Sequence, residues 1–393
     1  MATKKSGSTA SYRPATSLVL AGRTPFEHEG FVNTPLYRGS TVLSETYDDL
    51  VHHRGRYAYG RRGSPTLEAL STSLASFEKS AGVLLTPSGL SAVGTALLAV
   101  VKAGDNILVA DTVYQPTRKI CDGVLKRMGV ETTYFDPLIG ANIKSLLKSN
   151  TSVVFLEAPG SQTFEMPDVP AIAKVAREHG AVSLLDNTWA TPLFFRPHEH
   201  GVDISIQAGT KYLGGHSDIN LGTISVSDAT LYKRVLITHG DLGINPGPED
   251  VYLALRGMRT MSIRLDRHME SGLRIARWLQ AQPEVLRVMH PALESDPGYA
   301  IWKRDFSGAC GLFSFILKPE YAKNIAAFFD TLALFGMGYS WGGYESLAIP
   351  FDCKGYRTAT KWNPGGPAVR LHIGLEDPED LMDDLAAGLA KLA

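Results

Sequence analysis

Cysteine is scarce in this sequence. Three cysteines occur in 393 residues, at positions 121, 310 and 353, and so few at such wide spacing make neither a disulfide framework nor a cysteine-rich zinc site. A reducing compartment, the cytoplasm, is therefore expected. Long apolar runs are missing too, since no stretch reaches the ~18 consecutive apolar residues of a transmembrane helix. The opening MATKKSGSTASYRP has no apolar core behind its lysines, so no secretory signal is predicted.

An excess of charge of either sign is also missing. The 39 Lys and Arg residues nearly balance the 40 Asp and Glu residues, so we expect neither a nucleic-acid partner nor an anionic membrane. No G-x-G-x-x-G follows a predicted strand and no GKS or GKT occurs, which argues against dinucleotide and P-loop nucleotide sites. His52-His53 and His198-Glu199-His200 lack the i, i+4 spacing of helical metal ligands, so we predict surface histidines and no metal site.

What is present divides the chain into three stretches. Hydrophobic residues make up 44% of the chain, which is the composition of a protein with a large buried core. Residues 1–60 show no sustained periodicity, and we predict an N-terminal arm that packs on the rest of the chain or on a neighbouring subunit. Residues 61–247 form the predicted main domain. Residues 248–393 form a bridging helix, predicted over 248–282, and a smaller C-terminal domain.

Helical and apolar runs alternate through the main domain. Predicted helices are 66–82, 91–104, 116–129 and 168–180, and predicted strands are 105–111, 130–136, 151–159, 181–188 and 221–228. This alternation favours a mostly parallel sheet with helices on both faces. The C-terminal stretch adds strands at 284–291, 311–317 and 368–377 and helices at 322–335 and 378–392. The predicted fold class is therefore α/β, with a smaller C-terminal α+β domain.

Candidate site groups lie where strands end, because ligands of open α/β sheets bind beyond the carboxyl ends of the strands. Ser88, Gly89 and Leu90 follow the apolar run VLLTP and open a helix, whose N–H groups and dipole favour a phosphate. A serine N-cap with a turn glycine is the alternative interpretation. Asp186 ends an apolar strand, where a charge is costly without a partner, although a capping role is equally consistent.

Two further candidates complete the set. Tyr114 follows the strand LVAD, where its ring serves either a planar ligand or packing. Lys211 lies in QAGTKYLGGHSD among small residues that admit a ligand, although most lysines are solvated surface charges. Each signal is weak alone. Together, an anion cup, a stacking ring, an acid for a ring nitrogen and a lysine for an aldehyde are what a pyridoxal phosphate site needs.

The sequence resembles the Cys/Met-metabolism family of fold-type I pyridoxal phosphate enzymes, which includes cystathionine β- and γ-lyases, cystathionine γ-synthase and methionine γ-lyase. The resemblance extends from Tyr59 to Asp377. It rests on YGRRGSPT (59–66), the Ser88-Gly89 turn, Tyr114, LLDNTWATP (184–192), TKYLGGHSD (210–218), LRGMRT (255–260), YESL (344–347) and RLHIGLED (370–377). It implies a fold-type I, transferase-like fold that binds pyridoxal 5'-phosphate within residues 61–247.

The resemblance also implies roles in binding the cofactor. Lys211 would bind the cofactor aldehyde and transfer protons, and Asp186 would pair with the pyridine nitrogen. Tyr114 would stack on the ring and help to deprotonate the substrate amine. The implied phosphate cup consists of Ser88, Gly89, Leu90 and Thr210. Tyr59 and Arg61 would reach the phosphate of a neighbouring subunit, so the arm over 1–60 would contact that subunit.

Substrate binding and the subgroup are implied in the same way. Arg370 would hold the substrate α-carboxylate, and the pocket would include Tyr339, Ser340 and Trp341. EAPGSQTFE (157–165), with Ser161, and GYSWGGYESL (338–347) resemble the bacterial cystathionine β-lyases more than the γ-enzymes. Two departures stand out. Ala208 replaces a serine that is common in the family, and Lys119 replaces an acid that some β-lyases carry.

The reaction implied is a carbon–sulfur β-elimination that converts L-cystathionine into homocysteine, pyruvate and ammonia, a transsulfuration step of methionine biosynthesis. A γ-lyase, a γ-synthase or a cysteine desulfhydrase of the same family is the alternative. A non-catalytic α/β ligand-binding protein is a remote one. The resemblance also implies a homo-oligomer, a tetramer built from dimers that share active sites.

Overall fold

The computed structural model describes residues 12–392. Residues 1–11 of the predicted arm lie outside the described part of the chain. Within residues 12–392, no helix is both long enough and apolar enough to cross a membrane. All three cysteines are free and buried. The domain boundaries at 60 and 247 stay predictions.

Seven strands form the larger sheet. They are Gly82–Thr86 (β1), Asn106–Ala110 (β2), Glu131–Phe135 (β3), Thr151–Glu157 (β4), Val182–Asp186 (β5), Ile204–Ala208 (β6) and Gly222–Val226 (β7). Their order across the sheet is β1-β7-β6-β5-β4-β2-β3. All pairs are parallel except those of β7, which runs antiparallel to β1 and β6. The predicted mostly parallel sheet is therefore confirmed.

Four strands form the smaller, antiparallel sheet. They are Val285–Met289 (β8), Leu312–Leu317 (β9), Leu347–Phe351 (β10) and Ala368–His372 (β11), in the order β10-β11-β9-β8. The prediction of a smaller C-terminal α+β unit is confirmed, although β10 was not predicted. Pro350 lowers the strand signal of LAIPF, and the structure places it on an edge strand, where a missing N–H is tolerated.

In the part of the chain that the structure describes, thirteen α-helices connect and cover the sheets. They are Pro14–Val19 (α1), Tyr47–Val51 (α2), Pro65–Glu78 (α3), Gly89–Val100 (α4), Gln115–Ile120 (α5), Val169–His179 (α6), Thr191–Phe194 (α7), Ala229–Asp241 (α8), Pro248–Met258 (α9), Met261–Gln280 (α10), Tyr299–Asp305 (α11), Ile325–Thr331 (α12) and Pro378–Leu389 (α13). Short 3₁₀ segments lie at Pro25–Glu27, Gly60–Arg62, Pro137–Leu146, Pro197–His200 and Pro319–Asn324, and a π-helical turn at Cys121–Leu125.

Three predicted elements differ from the structure. The single bridging helix over 248–282 is wrong, because the chain turns between α9 and α10, where the Thr260 N–H donates to the Gly257 carbonyl at 3.1 Å. The helix predicted over 91–104 ends at Val100, since Val101 has extended backbone. Strand β6 was missed because Ser205 and Gln207 interrupt its apolar pattern, and both are buried.

Candidate active site

A cavity of about 720 Å³ lies between the ends of the large-sheet strands and the small sheet. The predicted site residues that line it are Ser88, Gly89, Leu90, Tyr114, Asp186, Thr210, Lys211, Tyr339, Ser340, Trp341 and Arg370. These residues come from stretches of chain up to 282 positions apart (370 − 88), and the fold brings them to one place. Tyr59 and Arg61 are not among its lining residues.

The predicted phosphate cup is the start of α4. The Ser88 hydroxyl accepts a hydrogen bond from the Ser91 N–H at 3.1 Å, so the N-cap interpretation is correct for the side chain. The cap leaves the first N–H groups of the helix without intrahelical partners, and these are the anion-binding groups. A Cβ at Gly89 would stand 2.7 Å from the Ala208 Cβ, so only glycine fits. The turn therefore fits a phosphate whose ligands are backbone N–H groups.

Thr210 and Ala208 support this cup from β6 and the segment after it. The Thr210 hydroxyl donates to the Leu221 carbonyl at 3.2 Å and accepts from the Leu221 N–H at 3.0 Å. The Ala208 N–H donates to the Thr188 hydroxyl at 2.9 Å. Ala208, a departure from the family pattern, thus packs against the glycine of the cup and binds through its backbone.

Asp186 is a buried acid aimed at the cavity from the end of β5. Its Oδ1 accepts from the Thr188 N–H at 3.0 Å and from the Thr188 hydroxyl at 2.5 Å. Burial raises the pKa of Asp186, while the bonds from Thr188 and the charge of Lys211 oppose that rise. A buried carboxylate of this kind is stabilised by a cationic partner. The protonated pyridine nitrogen of pyridoxal phosphate would supply one.

Glu157 is a buried acid that sequence reasoning missed. It ends β4 and pairs in register with Asp186. Its Oε2 accepts from the Tyr114 N–H at 2.6 Å, and it lines the cavity. Burial and the neighbouring charge of Asp186 raise its pKa well above the usual range. The signal was available, since Glu157, like Asp186, is an acid at the end of an apolar strand.

Tyr114 stands at the start of α5, tied to the sheet by that bond to Glu157. Its ring is 48% exposed and lines the cavity, so one face is open to a planar ligand. Burial of the phenol, together with the charges of Glu157 and Asp186, raises its pKa. The structure therefore places an open, neutral aromatic ring where the sequence predicted one.

Lys211 reaches across the cavity to the C-terminal part of the chain. Its Nζ donates to the Ser340 Oγ and lies 5.4 Å from the centre of the Trp341 ring. Burial and then the nearby Arg370 charge lower its pKa to about 8. A lower pKa leaves more neutral amine near neutral pH, which is the form that attacks an aldehyde and accepts a proton.

A strained turn holds Ser340 in that position. Ser340 has φ +83° and Gly342 φ +86°, a backbone region that side chains other than glycine rarely adopt. A Cβ at Gly342 would stand 3.0 Å from the Lys211 backbone, so the turn packs directly on the lysine. Non-glycine residues keep such a conformation only where their surroundings enforce it.

Two residues of β11 enforce it. Arg370, which is buried, donates from Nη2 to the Ser340 carbonyl at 3.0 Å. His372, two residues along on the same face of the strand, places its Nε2 3.1 Å from the Gly342 nitrogen and 3.1 Å from the Gly343 oxygen. Burial and the neighbouring His268 lower the pKa of His372, so its ring is neutral. His372 was not predicted, although its spacing from Arg370 indicated a shared face.

Tyr59 and Arg61 lie elsewhere in the same chain. Tyr59 is half-exposed and forms an isolated bridge with Thr41, and the Arg61 Nη1 donates to the Gly240 carbonyl at 3.0 Å. Their assignment to the phosphate of a neighbouring subunit stays a prediction.

His52 and His53 are exposed, as predicted, whereas His198 and His200 differ from their predicted surface placement. His198 is partly buried, with its ring nitrogens 2.9 Å from the Val202 carbonyl and 3.0 Å from the Ser225 hydroxyl. His200 stacks on Phe195, with ring centres 4.4 Å apart. Within residues 12–392, no group of three or more His, Cys, Asp or Glu side chains is arranged to hold a metal ion.

Comparison with known proteins agrees with this geometry. A protein of Rhizobium johnstonii, provisionally named a cystathionine beta-lyase, is 52% identical over 95% of both chains. The cystathionine beta-lyase of Salmonella typhimurium is 43% identical over 96% of this chain and 98% of its own. The crystal structure of cystathionine gamma synthase from Xanthomonas oryzae pv. oryzae in complex with cystathionine, 29% identical, superposes over 98% of this chain and 99% of its own with a TM-score of 0.89. Residues 15–390 match the family model itself, and the chain belongs to the Cys/Met metabolism PLP-dependent enzymes.

Proposed function

We propose that the protein catalyses β-elimination of L-cystathionine to homocysteine, pyruvate and ammonia, a transsulfuration step of methionine biosynthesis. The observation that carries the proposal is the convergence of Lys211, Asp186 and Arg370 on one cavity in a chain 43% identical to a cystathionine beta-lyase. Pyridoxal phosphate, the cofactor of the family, supplies an electron sink for the pair left on the substrate Cα when its proton departs. The remaining work belongs to side chains of this chain.

Binding and orientation come from the small-sheet side of the cavity. The Arg370 guanidinium holds the substrate α-carboxylate, for which a planar fork of N–H donors is well suited. The Ser340 turn, which Arg370 and His372 hold in place, fixes the Arg370 guanidinium from its other side. The Cα–H bond is thereby turned toward Lys211.

Proton movement comes from the large-sheet side. The Lys211 amine takes the α-proton, and its lowered pKa suits a base that works near neutral pH. Asp186 would pair with the pyridine nitrogen and keep it protonated, which would strengthen electron withdrawal by the cofactor. Tyr114 would pack on the cofactor ring and help to deprotonate the substrate amine. The Cβ–S bond then breaks, its electron pair leaves on the sulfur of homocysteine, which takes up a proton, and water hydrolyses the remaining 2-aminoacrylate to pyruvate and ammonia.

A γ-lyase, γ-synthase or cysteine desulfhydrase reaction is the alternative within the family. A γ-enzyme must also move a proton from Cβ. Ser161 and the aromatic edge formed by Tyr339 and Trp341 line the cavity, and the sequence pattern associates both features with β-lyases. Both favour β-elimination.

Product analysis on the purified holoenzyme with L-cystathionine tests the reaction. We expect pyruvate and homocysteine in equal amounts. Formation of 2-oxobutyrate and cysteine would assign the γ-lyase reaction instead. L-Cysteine and L-cystine, assayed in parallel, are expected to be poorer substrates, and a clear preference for cysteine would indicate a desulfhydrase.

We also propose a cytoplasmic homotetramer built from dimers that share active sites. The segment around residues 26–51 exposes apolar side chains to an extent that favours a covering partner: Phe26 is 83% exposed, Leu43 87% and Tyr47 83%. A second copy that covers this segment would bring Tyr59 and Arg61 to the first copy's cofactor phosphate.

Mixing two inactive variants tests the shared site. Lys211→Ala chains lack the base and Arg61→Ala chains lack the phosphate contact. Hybrids are expected to regain up to half of the sites, since one of the two sites of a mixed dimer combines both intact residues. If mixed preparations show no more activity than either parent, the sites are not shared.

A further inference from the structure

The cavity contains one charged side chain that the proposed reaction does not use. Its charged lining residues are Glu157, Asp186, Lys211, Asp352 and Arg370. Lys211, Asp186 and Arg370 have roles in the reaction, and Glu157 is held by the Tyr114 N–H beside Asp186. Asp352 remains. Unlike the other acids of the cavity it is exposed, which places it at the opening.

The position of Asp352 is set by β10. Ile349 of this strand lies opposite Arg370 of β11, and Asp352 follows three residues later, just after the strand ends. At ~3.3 Å per residue, Asp352 stands roughly 10 Å along the strand from the level of Arg370. Asp352 is therefore within reach of the far end of an extended molecule whose α-carboxylate is bound by Arg370.

The carboxylate of Asp352 is available for a ligand. Its Oδ1 accepts the Lys354 N–H at 2.9 Å, a bond within its own loop that leaves Oδ2 free. Among residues 12–392, no Lys, Arg or His side chain lies within ion-pair distance of it. Its charge is therefore unmatched at the opening of a cavity, where a cationic group gains most from it.

The loop that carries Asp352 is fixed at its other end. Thr358, Ala359 and Thr360 donate their backbone N–H groups to the buried carboxylate of Asp111 at 2.9 to 3.1 Å. Burial opposes ionisation of Asp111, but these bonds and that from Arg118 lower its pKa, so it stays charged. Asp111 follows β2 directly, so the loop spans from the small sheet to the large one. Asp352 is thus held in place before any ligand arrives.

We propose that Asp352 binds the distal ammonium group of the substrate and so selects thioethers that carry an amino-acid head at each end. The inference rests on the proposed function and names its substrate class more closely. Lys119, which replaces an acid found in some β-lyases, is exposed and does not line the cavity. Asp352 is the acid that this cavity offers to a distal cation.

The test compares two substrates in matched variants. L-Cystathionine has the distal amine, and S-(3-carboxypropyl)-L-cysteine lacks it. The wild-type holoenzyme is expected to prefer cystathionine in kcat/KM, and Asp352→Asn should reduce that preference by about 5- to 30-fold, mainly through KM, because a charge-assisted hydrogen bond is lost. Asp352→Glu should keep part of the preference. Asp330→Asn, an exposed acid in α12, is the control and should keep all of it.

Several outcomes decide against Asp352. A wild-type enzyme that cleaves both thioethers equally well, or an Asp352→Asn enzyme that keeps the full preference, overturns the inference while the proposed β-elimination stands. If the wild type cleaves neither thioether, the proposed function fails. Titration of the cofactor absorbance then measures the affinity for each compound, and these affinities decide whether the inference about Asp352 holds. Equal affinities in the wild type overturn the inference, and a preference that Asp352→Asn abolishes supports it. Thermal melting and cofactor absorbance verify that each variant is folded.

Discussion

The two halves of the cavity are built differently. On the large-sheet side, the reactive groups lie at or just beyond strand ends, with Asp186 closing β5 and Lys211 three residues (211 − 208) after β6. On the small-sheet side, Arg370 lies inside β11 and Ser340 in a turn with left-handed backbone. The first half follows the general geometry of open α/β sheets. The second depends on a local arrangement that tertiary contacts enforce.

Under the proposed function, this difference separates the groups that react from the groups that orient the substrate. The large-sheet half would provide the base Lys211 and the acid Asp186, and the small-sheet half would hold the substrate through Arg370 and contains the Ser340 turn. They meet where the Lys211 Nζ donates to the Ser340 Oγ. Substitutions in the first half are therefore expected to lower kcat, and those in the second to raise KM or to loosen that contact.

The largest effect is expected at Lys211. Lys211→Ala removes the base, and loss of a general base alone typically lowers turnover by about 10²- to 10⁴-fold. The variant should still bind substrate, because Arg370 and the cofactor site remain. Steady-state kinetics and titration of the cofactor absorbance measure the two properties separately. Lys119→Ala, outside the cavity, is the matched control. Turnover near the wild-type rate would remove Lys211 from the chemical step.

Substitution of Arg370 should affect mainly substrate binding (KM), whereas substitution of Lys211 should affect mainly turnover (kcat). Arg370→Ala loses a charge-assisted bidentate pair, worth about 2–4 kcal/mol with the penalty for the unpaired carboxylate included, so kcat/KM should fall roughly 30- to 1,000-fold, mostly through KM. Arg370→Lys should recover little, because an ammonium does not reproduce the planar fork. A wild-type KM in Arg370→Ala would show that both halves act on the chemical step and that the comparison is wrong.

Substitution of His372 tests whether the Ser340 turn itself contributes to kcat, apart from the residues that it positions. His372→Phe keeps the ring volume but loses both contacts to the turn, so Ser340 should hold Lys211 less well and kcat should fall about 3- to 10-fold, the equivalent of one hydrogen bond. His372→Asn, whose amide offers a donor and an acceptor, should restore part of kcat. His268→Phe, in the adjacent buried ring, is the control and should change only the melting temperature. If kcat is equal in all three variants, the role of His372 is limited to packing.

The same division explains what the sequence predicted. Strand-end reasoning found Ser88, Tyr114 and Asp186 without reference to any family, because the polarity of a parallel sheet brings those positions to one edge. Lys211 was singled out by the small residues around it, since the strand before it was not predicted. Arg370 and Ser340 came only from the resemblance. No local pattern shows that a serine will adopt φ +83°, since the conformation is enforced from a strand 30 residues away (370 − 340).

Buried polar groups account for another miss. Strand β6 escaped detection because its inward-facing Ser205 and Gln207 look like surface residues in a sequence. They are buried because Glu78 of α3 lies over them, with the Gln207 Nε2 donating to the Glu78 Oε1 at 3.1 Å. The hydrophobicity pattern of a sequence shows which side chains are polar. It does not show which partner forms a hydrogen bond with a polar side chain when that side chain is buried.

Glu78 is a buried acid on the face of the sheet opposite Asp186, since Asp186 pairs with Ile206 and Gln207 is the next residue of β6. It does not line the cavity, and within the described chain no cation pairs with it. Burial raises its pKa to about 8, and the hydrogen bond from Gln207 offsets only part of the rise. Under the proposed function Asp186 would pair with the cofactor nitrogen, whereas Glu78 remains protonated near neutral pH.

Glu78→Gln is therefore expected to have the smallest effect on activity. Its expected effect is on the free energy of unfolding. The folded state keeps a proton on Glu78 up to pH ~8, while the unfolded chain releases it near pH 4.5, so wild-type stability falls as pH rises between these values. Glutamine is neutral in both states, so the variant should match the wild type near pH 5 and exceed it by about 2–4 kcal/mol near pH 8. Denaturant unfolding of the holoenzyme at several pH values measures the difference, with the exposed Glu320→Gln as control and kcat/KM unchanged. A difference that does not grow with pH would mean that Glu78 is ionised in the folded protein, and that buried acids on both faces of the sheet carry charge.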